Sequence, residues 1–87
     1  MKKRNIAILG ATGSIGTQAL DVVAHHPDMF EVDLLTANNN AQLLIEQALK
    51  FKPNNVVICN EKLYNTVNDA LAGEDIKVFA GMESVNS

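Results

Sequence analysis

The sequence has little of several residue types that mark particular kinds of protein. It contains one cysteine, Cys59, no tryptophan, and 7 lysines and arginines against 10 acidic residues, for a net charge of −3. A single cysteine excludes an internal disulfide and a thiolate metal cluster, so we expect Cys59 to be a small buried hydrophobe near a strand end. Basic residues are few and gather at Lys2, Lys3 and Arg4, which argues against nucleic acid as the main partner.

Long hydrophobic runs are also missing. No run approaches the roughly 18 residues that cross a bilayer, and the apolar stretch of residues 5–9 is too short for a signal sequence. We therefore expect a cytoplasmic protein that does not engage a membrane. With 87 residues, 47% of them hydrophobic, the chain has room for one domain with one modest core.

Apolar periodicity predicts strands that alternate with helices. The strands are expected at 5–9, 30–37, 55–59 and 76–79. The helices are expected at 14–24, from the N-cap Asn40 to a stop at Pro53, and from the N-cap Asn60 to Gly73. This pattern predicts an α/β fold, a Rossmann-like doubly wound parallel sheet of the βαβαβαβ type with strand order 3-2-1-4.

The last residues suggest a larger domain. A further helix is expected to begin at Met82–Val85, and the sequence then ends at Ser87 without a cap. We expect residues 1–87 to be the N-terminal part of a Rossmann-like domain, with the remainder of that domain absent. The fourth strand would then be an unprotected edge.

Three of the five glycines lie between the first strand and the first helix, in the stretch ILGATGSIG. Gly10 suits the sharp turn, and Gly13 lets a phosphate approach the backbone amides at the helix N-terminus. Gly16, one turn into the helix, lets the helix pack closely on the first strand. Thr12 and Ser14 are expected to cap the helix and to donate to phosphate oxygens. A strand before the glycines and a helix after them favour a dinucleotide site over a tight turn without a ligand.

The end of the second strand discriminates between cofactors. An NAD site usually has an acidic residue there, about 20 residues after the glycines, which accepts from the ribose 2′-hydroxyl. This end reads Thr36, Ala37, Asn38 and Asn39, so no carboxylate would repel a 2′-phosphate and NADP(H) is favoured. Asp33 is the rival acid, but it lies in the middle of the strand.

No catalytic or metal site is predicted. His25 and His26 are adjacent, so a helix would not aim them at one point, and pairing with the helix C-terminus is the simpler interpretation. We find no nucleophile, general acid or metal cage in the sequence, so any chemistry must come from elsewhere.

The stretch from Gly10 to Asn40, GATGSIGTQALDVVAHHPDMFEVDLLTANNN, resembles the N-terminal end of the 1-deoxy-D-xylulose 5-phosphate reductoisomerase family. Family members have GSTGSIG, a helix containing L-D-V-V, then P-x-x-F and a strand ending in A-x-x-N. LLIEQALKFKPNNVVI and VFAG are also similar to the family, so the likeness spans essentially the whole chain.

The resemblance implies an NADPH-dependent enzyme of non-mevalonate isoprenoid biosynthesis. With Mg²⁺ or Mn²⁺, such an enzyme rearranges 1-deoxy-D-xylulose 5-phosphate and reduces the product to 2-C-methyl-D-erythritol 4-phosphate. It implies a homodimer whose metal ligands and residues for the sugar-phosphate substrate lie beyond residue 87. The fragment alone is expected to bind NADPH weakly at best and to be inactive.

The resemblance also implies roles for individual positions. The residues expected at the cofactor phosphates and the nicotinamide side are Thr12, Gly13, Ser14 and Ile15, on a turn shaped by Gly10 and Gly16. The residues expected around the adenosine ribose and its 2′-phosphate are Ala37, Asn38, Asn39 and Asn40. Many members have glycine and a lysine or arginine in place of Asn38 and Asn39, so one charged phosphate contact is missing here.

Two alternatives stay open on the sequence alone. Semialdehyde dehydrogenases also begin with a GATG-type turn, but they use a downstream cysteine nucleophile, and Cys59 is badly placed for that role. A non-catalytic nucleotide-binding module would need only the turn.

Overall fold

Four parallel strands and three helices make up the computed structural model, which describes residues 4–81. The strands are β1 (Arg4–Ile8), β2 (Phe30–Ala37), β3 (Asn55–Ile58) and β4 (Lys77–Ala80). The helices are α1 (Ser14–His25), α2 (Ala41–Phe51) and α3 (Tyr64–Ala70), and a 3-10 turn at Glu61–Leu63 precedes α3. The alternation of strands and helices confirms the predicted α/β class, while the helix expected at Met82–Val85 lies outside the described residues.

The strand order differs from the predicted one. The sheet runs β1-β2-β3-β4, with Val56 of β3 opposite Val78 of β4, so the order 3-2-1-4 is wrong. That order would require the connection after β3 to cross back over β2 and β1. Instead, α3 packs beside α2. Val67 of α3 and Leu71 directly after it are buried in the core, with 0% and 1% exposure. Burial of these two side chains keeps the third crossover next to β3, so residues 4–81 contain no reversal of strand order.

The two edge strands follow from this order. Among the strands of residues 4–81, β4 is an edge, as predicted, and β1 is the other edge, because it pairs with β2 alone. The apolar run of residues 5–9 is typical of a strand that is buried on both faces, but for β1 this interpretation is wrong. Only Ile8 of the strand is buried, and Leu9 just after it is 63% exposed.

One face of the sheet carries the main core. Ile8, Leu35, Val56 and Val78 stand side by side in register on the four strands, and all four join the core cluster. The helices contribute the buried side chains Leu20, Val23, Leu44, Ala48, Val67 and Leu71 to the same cluster. The helices therefore pack on this face, and the core fixes where α1 and α2 begin relative to the strand ends.

The bounds of α2 match the predicted signals. The Asn40 side chain accepts a hydrogen bond from the Leu43 amide at 3.2 Å, which caps the first turn. Lys52 ends the helix in the left-handed region with φ 53°, and Pro53 follows. These signals set the N-terminus of α2 directly after β2.

Candidate functional site

The carboxyl ends of β1, β2 and β3 meet at one edge of the fold. The Ala11 amide donates to the Thr36 carbonyl at 2.7 Å, which joins the glycine turn after β1 to the end of β2. The Cys59 amide donates to the Ala37 carbonyl at 2.8 Å, which joins the loop after β3 to the same place. In open parallel sheets, ligands bind outside this edge, so the predicted site residues converge where a dinucleotide would be expected.

Hydrogen bonds to β2 and α2 hold the backbone of the glycine turn in place. Gly10 takes φ 71°, a left-handed conformation that favours glycine, and its amide donates to Thr36 Oγ1 at 2.8 Å. The carbonyl of Ala11, a residue with 0% exposure, accepts from Gln47 Nε2 at 2.8 Å. One strand and one helix thus fix the backbone of this turn before any ligand arrives.

Gly16 allows the first helix to lie on the turn itself. A Cβ at Gly16 would stand 2.2 Å from the Gly10 carbonyl oxygen and 2.7 Å from Ala11 Cα. The close approach predicted for Gly16 is therefore present, although the backbone that it meets is the turn and not the strand. Only glycine fits this position without displacing α1.

The amides in the first turn of α1 have no hydrogen-bond partner in the described part of the chain. The first bond of the helix runs from the Thr17 amide to the Gly13 carbonyl at 2.9 Å, so the amides of Ser14, Ile15 and Gly16 have no acceptor among residues 4–81. A Cβ at Gly13 would meet only the Gly10 carbonyl oxygen, at 3.4 Å. Such amides, together with the positive end of the helix dipole, form an anion-binding site.

The predicted hydroxyl cap of α1 is wrong. Gly13 is the N-cap residue, with extended backbone, and no side chain caps the helix. Thr12 is half-buried and Ser14 is exposed, and neither hydroxyl bonds to the first-turn amides. The amides that a hydroxyl would have satisfied are therefore left for a ligand.

The asparagine run after β2 forms the second part of the site. Asn38 and Asn39 are exposed just beyond the strand, and Asn40 caps α2. Asn39 Oδ1 accepts from Asn60 Nδ2 at 3.0 Å, and the Asn38 carbonyl accepts from the Asn60 amide at 3.0 Å. The run thus presents side-chain amides beside a second helix N-terminus.

No carboxylate follows β2 directly. Asp33, the rival acid, lies in the middle of β2, and its Oδ1 accepts from Asn54 Nδ2 at 2.7 Å. Asn54 directly precedes β3, so this pair sits toward the amino end of the sheet, away from the asparagine run. Asp33 is therefore not placed to accept from a ribose bound at the carboxyl edge.

The remaining sequence candidates take ordinary structural roles. His25 Nδ1 pairs with the Asp21 carbonyl oxygen at 2.7 Å, one turn earlier on α1. Cys59 is half-buried directly after β3. Within residues 4–81, no group of three or more histidine, cysteine, aspartate or glutamate side chains could hold a metal ion. None of the helices described for this chain is both long enough and apolar enough to cross a membrane.

Sequence reasoning missed two residues that support the site. Gln47 looks like a polar interruption on the buried side of α2, and only the folded chain shows that it reaches Ala11, 36 residues away. The predicted N-cap Asn60 caps the 3-10 turn through its Oδ1 bond from the Lys62 amide, whereas α3 follows Leu63 and has no side-chain cap. The sequence does not show the contact of Asn60 with Asn39. A buried glutamine on a helix beside a predicted glycine turn is the signal that could have identified the first.

A parallel α/β sheet with a glycine turn and bare amides at its carboxyl edge is the architecture of a dinucleotide-binding domain. The family model of 1-deoxy-D-xylulose 5-phosphate reductoisomerase matches residues 6–87, and the chain belongs to this family. This membership decides against the semialdehyde dehydrogenase alternative.

Relatives and solved structures agree. The enzyme of this name from Bacteroides thetaiotaomicron is 57% identical over 84 residues, which cover 97% of this chain and 22% of that protein. The one from Porphyromonas gingivalis is 55% identical over 83 residues, which cover 95% of this chain and 22% of that protein. The chain therefore spans about a fifth of the length of these relatives.

Among solved structures, the Zymomonas mobilis reductoisomerase in complex with NADPH superposes with a TM-score of 0.93 at 37% identity, covering 97% of this chain and 22% of that one. A reductoisomerase in complex with NADPH, fosmidomycin and magnesium gives a TM-score of 0.88 at 30% identity, covering 94% of this chain and 20% of that one.

Proposed function

We propose that residues 1–87 form the first part of the NADPH-binding domain of a 1-deoxy-D-xylulose 5-phosphate reductoisomerase. The whole protein would convert 1-deoxy-D-xylulose 5-phosphate to 2-C-methyl-D-erythritol 4-phosphate, as a cytoplasmic homodimer in non-mevalonate isoprenoid biosynthesis. Family membership supports this activity, and the solved relatives bind NADPH and magnesium.

The observation that carries the proposal is the set of bare amides at the N-terminus of α1. Ser14, Ile15 and Gly16 offer N–H groups above Gly13, where no side chain intervenes, and the helix dipole adds to their attraction for an anion. We assign the NADPH pyrophosphate to this place, with Thr12 beside it. The turn backbone is already fixed, so little ordering cost opposes binding.

The 2′-phosphate of NADPH is assigned to the asparagine run. The residues of this part of the site are Ala37, Asn38, Asn39 and Asn40. Neutral amide donors there favour the binding of a phosphate. No carboxylate lies directly after β2, where an NAD site usually has one that accepts from the ribose 2′-hydroxyl. Discrimination between NADPH and NADH therefore rests on hydrogen bonds without a lysine or arginine in these positions.

The metal of the family does not fit residues 4–81. Mg²⁺ and Mn²⁺ prefer carboxylate and carbonyl oxygens, and the described residues contain no cluster of acidic side chains that could hold such an ion. We therefore place the metal, the substrate phosphate and the reacting groups on parts of the protein outside this range. By itself, the chain is expected to bind NADPH weakly at best and without turnover.

A chimera tests the proposal. The matching segment of the Bacteroides thetaiotaomicron enzyme is replaced by this chain, and NADPH oxidation is followed with 1-deoxy-D-xylulose 5-phosphate and Mg²⁺. We expect turnover, and we expect Gly13→Val in the same chimera to raise the KM for NADPH steeply because the side chain covers the amides. A chimera with an unchanged circular-dichroism spectrum that binds NADPH but does not oxidise it would support the non-catalytic module instead.

A further inference from the structure

The side-chain amide of Asn39 has a fixed orientation, and the residue that fixes it is Asn60. Asn60 follows β3, is half-buried, and stands between the 3-10 turn and the asparagine run. Its amide N–H also donates to the Asn38 carbonyl at 3.0 Å, which holds its backbone against the same run. Asn60 is therefore part of the carboxyl edge of the sheet, although it lies outside the predicted site.

The orientation follows from donor and acceptor chemistry. The Lys62 backbone amide can only donate, and it donates to Asn60 Oδ1 at 3.0 Å. Asn60 must therefore turn its NH₂ group toward Asn39, whose Oδ1 accepts from Asn60 Nδ2 at 3.0 Å. The Asn39 NH₂ group is left facing away, and it donates to no other residue in the described part of the chain.

We propose that Asn60 is a positioning residue for cofactor specificity, which orients the Asn39 amide so that its NH₂ group donates to the 2′-phosphate of NADPH. The inference rests on the proposed function, because it places the 2′-phosphate at the asparagine run. An Asn39 side chain turned the other way would present a carbonyl oxygen, which repels a phosphate. Asn60 thus supplies part of the discrimination that a lysine or arginine would supply by charge.

The test compares NADPH with NADH, which lacks the 2′-phosphate, on the 87-residue chain, with dissociation constants taken from amide chemical shifts. Asn60→Asp keeps an acceptor for the Lys62 amide. It offers Asn39 a carboxylate oxygen in place of an NH₂ donor, so the Asn39 side chain turns its own NH₂ group toward position 60 and its carbonyl oxygen toward the cofactor. We expect the preference for NADPH over NADH to fall about tenfold, which is near the lower end of the range for one hydrogen bond to a charged group. The affinity for NADH should change little.

A second variant removes the orientation without adding charge. Asn60→Ser keeps a hydroxyl acceptor for the Lys62 amide, but the shorter side chain does not reach Asn39. We expect a several-fold loss of NADPH preference. If both variants weaken NADPH and NADH binding equally, Asn60 acts only as a cap and the inference is overturned.

An Asn39→Ala background separates orientation from the charge of the new aspartate. If Asn60 acts through Asn39, Asn60→Asp has little further effect on the cofactor preference in this background. A full tenfold effect there would show direct charge repulsion and overturn the inference. A parent chain whose NADPH-induced shifts lie elsewhere and leave Ser14 and Ile15 unaffected, or a chimera whose KM for NADPH is unchanged by Gly13→Val, overturns the proposed function, and the inference falls with it.

Discussion

Replacing Gly16 by alanine tests how tightly α1 lies on the glycine turn. The added Cβ would stand 2.2 Å from the Gly10 carbonyl oxygen, 2.7 Å from Ala11 Cα and 2.9 Å from Ala11 C. Ordinary van der Waals contact begins near 3.4 Å, so the N-terminus of α1 must move by about 1 Å. All three atoms belong to the backbone, and no side-chain rotation can relieve the contact.

Two opposing terms set the magnitude. Alanine is a better helix former than glycine by about 1 kcal/mol, which favours the variant. Overpacking against a rigid neighbour costs about 3 kcal/mol, the upper end of the usual range, because the turn is pinned by the Thr36 and Gln47 hydrogen bonds. The net expectation for Gly16→Ala is a loss of about 2 kcal/mol in the free energy of unfolding.

Urea denaturation followed by circular dichroism measures this loss, which corresponds to a fall of about 1 to 2 M in the midpoint. Gly73→Ala is the matched control, since a Cβ there meets nothing within 4 Å and its φ is not left-handed. The control should be neutral or more stable by up to about 1 kcal/mol. Equal midpoints for the two variants would refute the close packing of α1 on the turn.

Substitutions at three further positions probe the supports of the site. Thr36→Val removes the acceptor of the Gly10 amide, whose hydrogen bond is part-buried, and should cost about 1 kcal/mol in urea denaturation. Gln47→Leu removes the donor to the Ala11 carbonyl together with the buried, unpartnered Gln47 Oε1, so stability should change by less than about 1 kcal/mol while NADPH binding weakens several-fold. Asn40→Ala should cost about 1 kcal/mol of stability by removing the cap of α2, and Asn40→Asp should retain it.

Each of these substitutions has a contrary result. A Thr36→Val variant as stable as the parent would mean that the Gly10 amide finds another acceptor. Unchanged NADPH affinity in Gln47→Leu would show that the α2 contact does not hold the turn for the ligand. An Asn40→Asp variant as unstable as Asn40→Ala would show that the cap contributes nothing.

Local signals predicted the elements well because they act through the nearest residues. Asn40 and Pro53 bound α2 as predicted, and the glycine spacing identified the turn where α1 meets the end of β1. The fold class followed from the alternation of short apolar runs with helical stripes. These features depend on backbone geometry over a few positions, and a single sequence displays them directly.

Strand order and long-range contacts were not predictable in this way. Nothing in the residues of β4 states whether it pairs with β1 or with β3, since that depends on where Val67 and Leu71 find their core. The contact between Gln47 and Ala11 likewise spans 36 positions. A hydroxyl cap for α1 was expected from residue type, but the structure leaves that place to backbone amides.

The most direct test of the nucleotide site is a map of amide chemical-shift changes in the 87-residue chain on addition of NADPH. The account predicts the largest changes at Ser14 and Ile15, with smaller ones along the asparagine run at 38–40. A groove of about 380 Å³ at the amino end of β2, lined in part by Pro27, Phe30 and Phe51, is the rival location. Changes confined to that groove, with the start of α1 unaffected, would contradict the account.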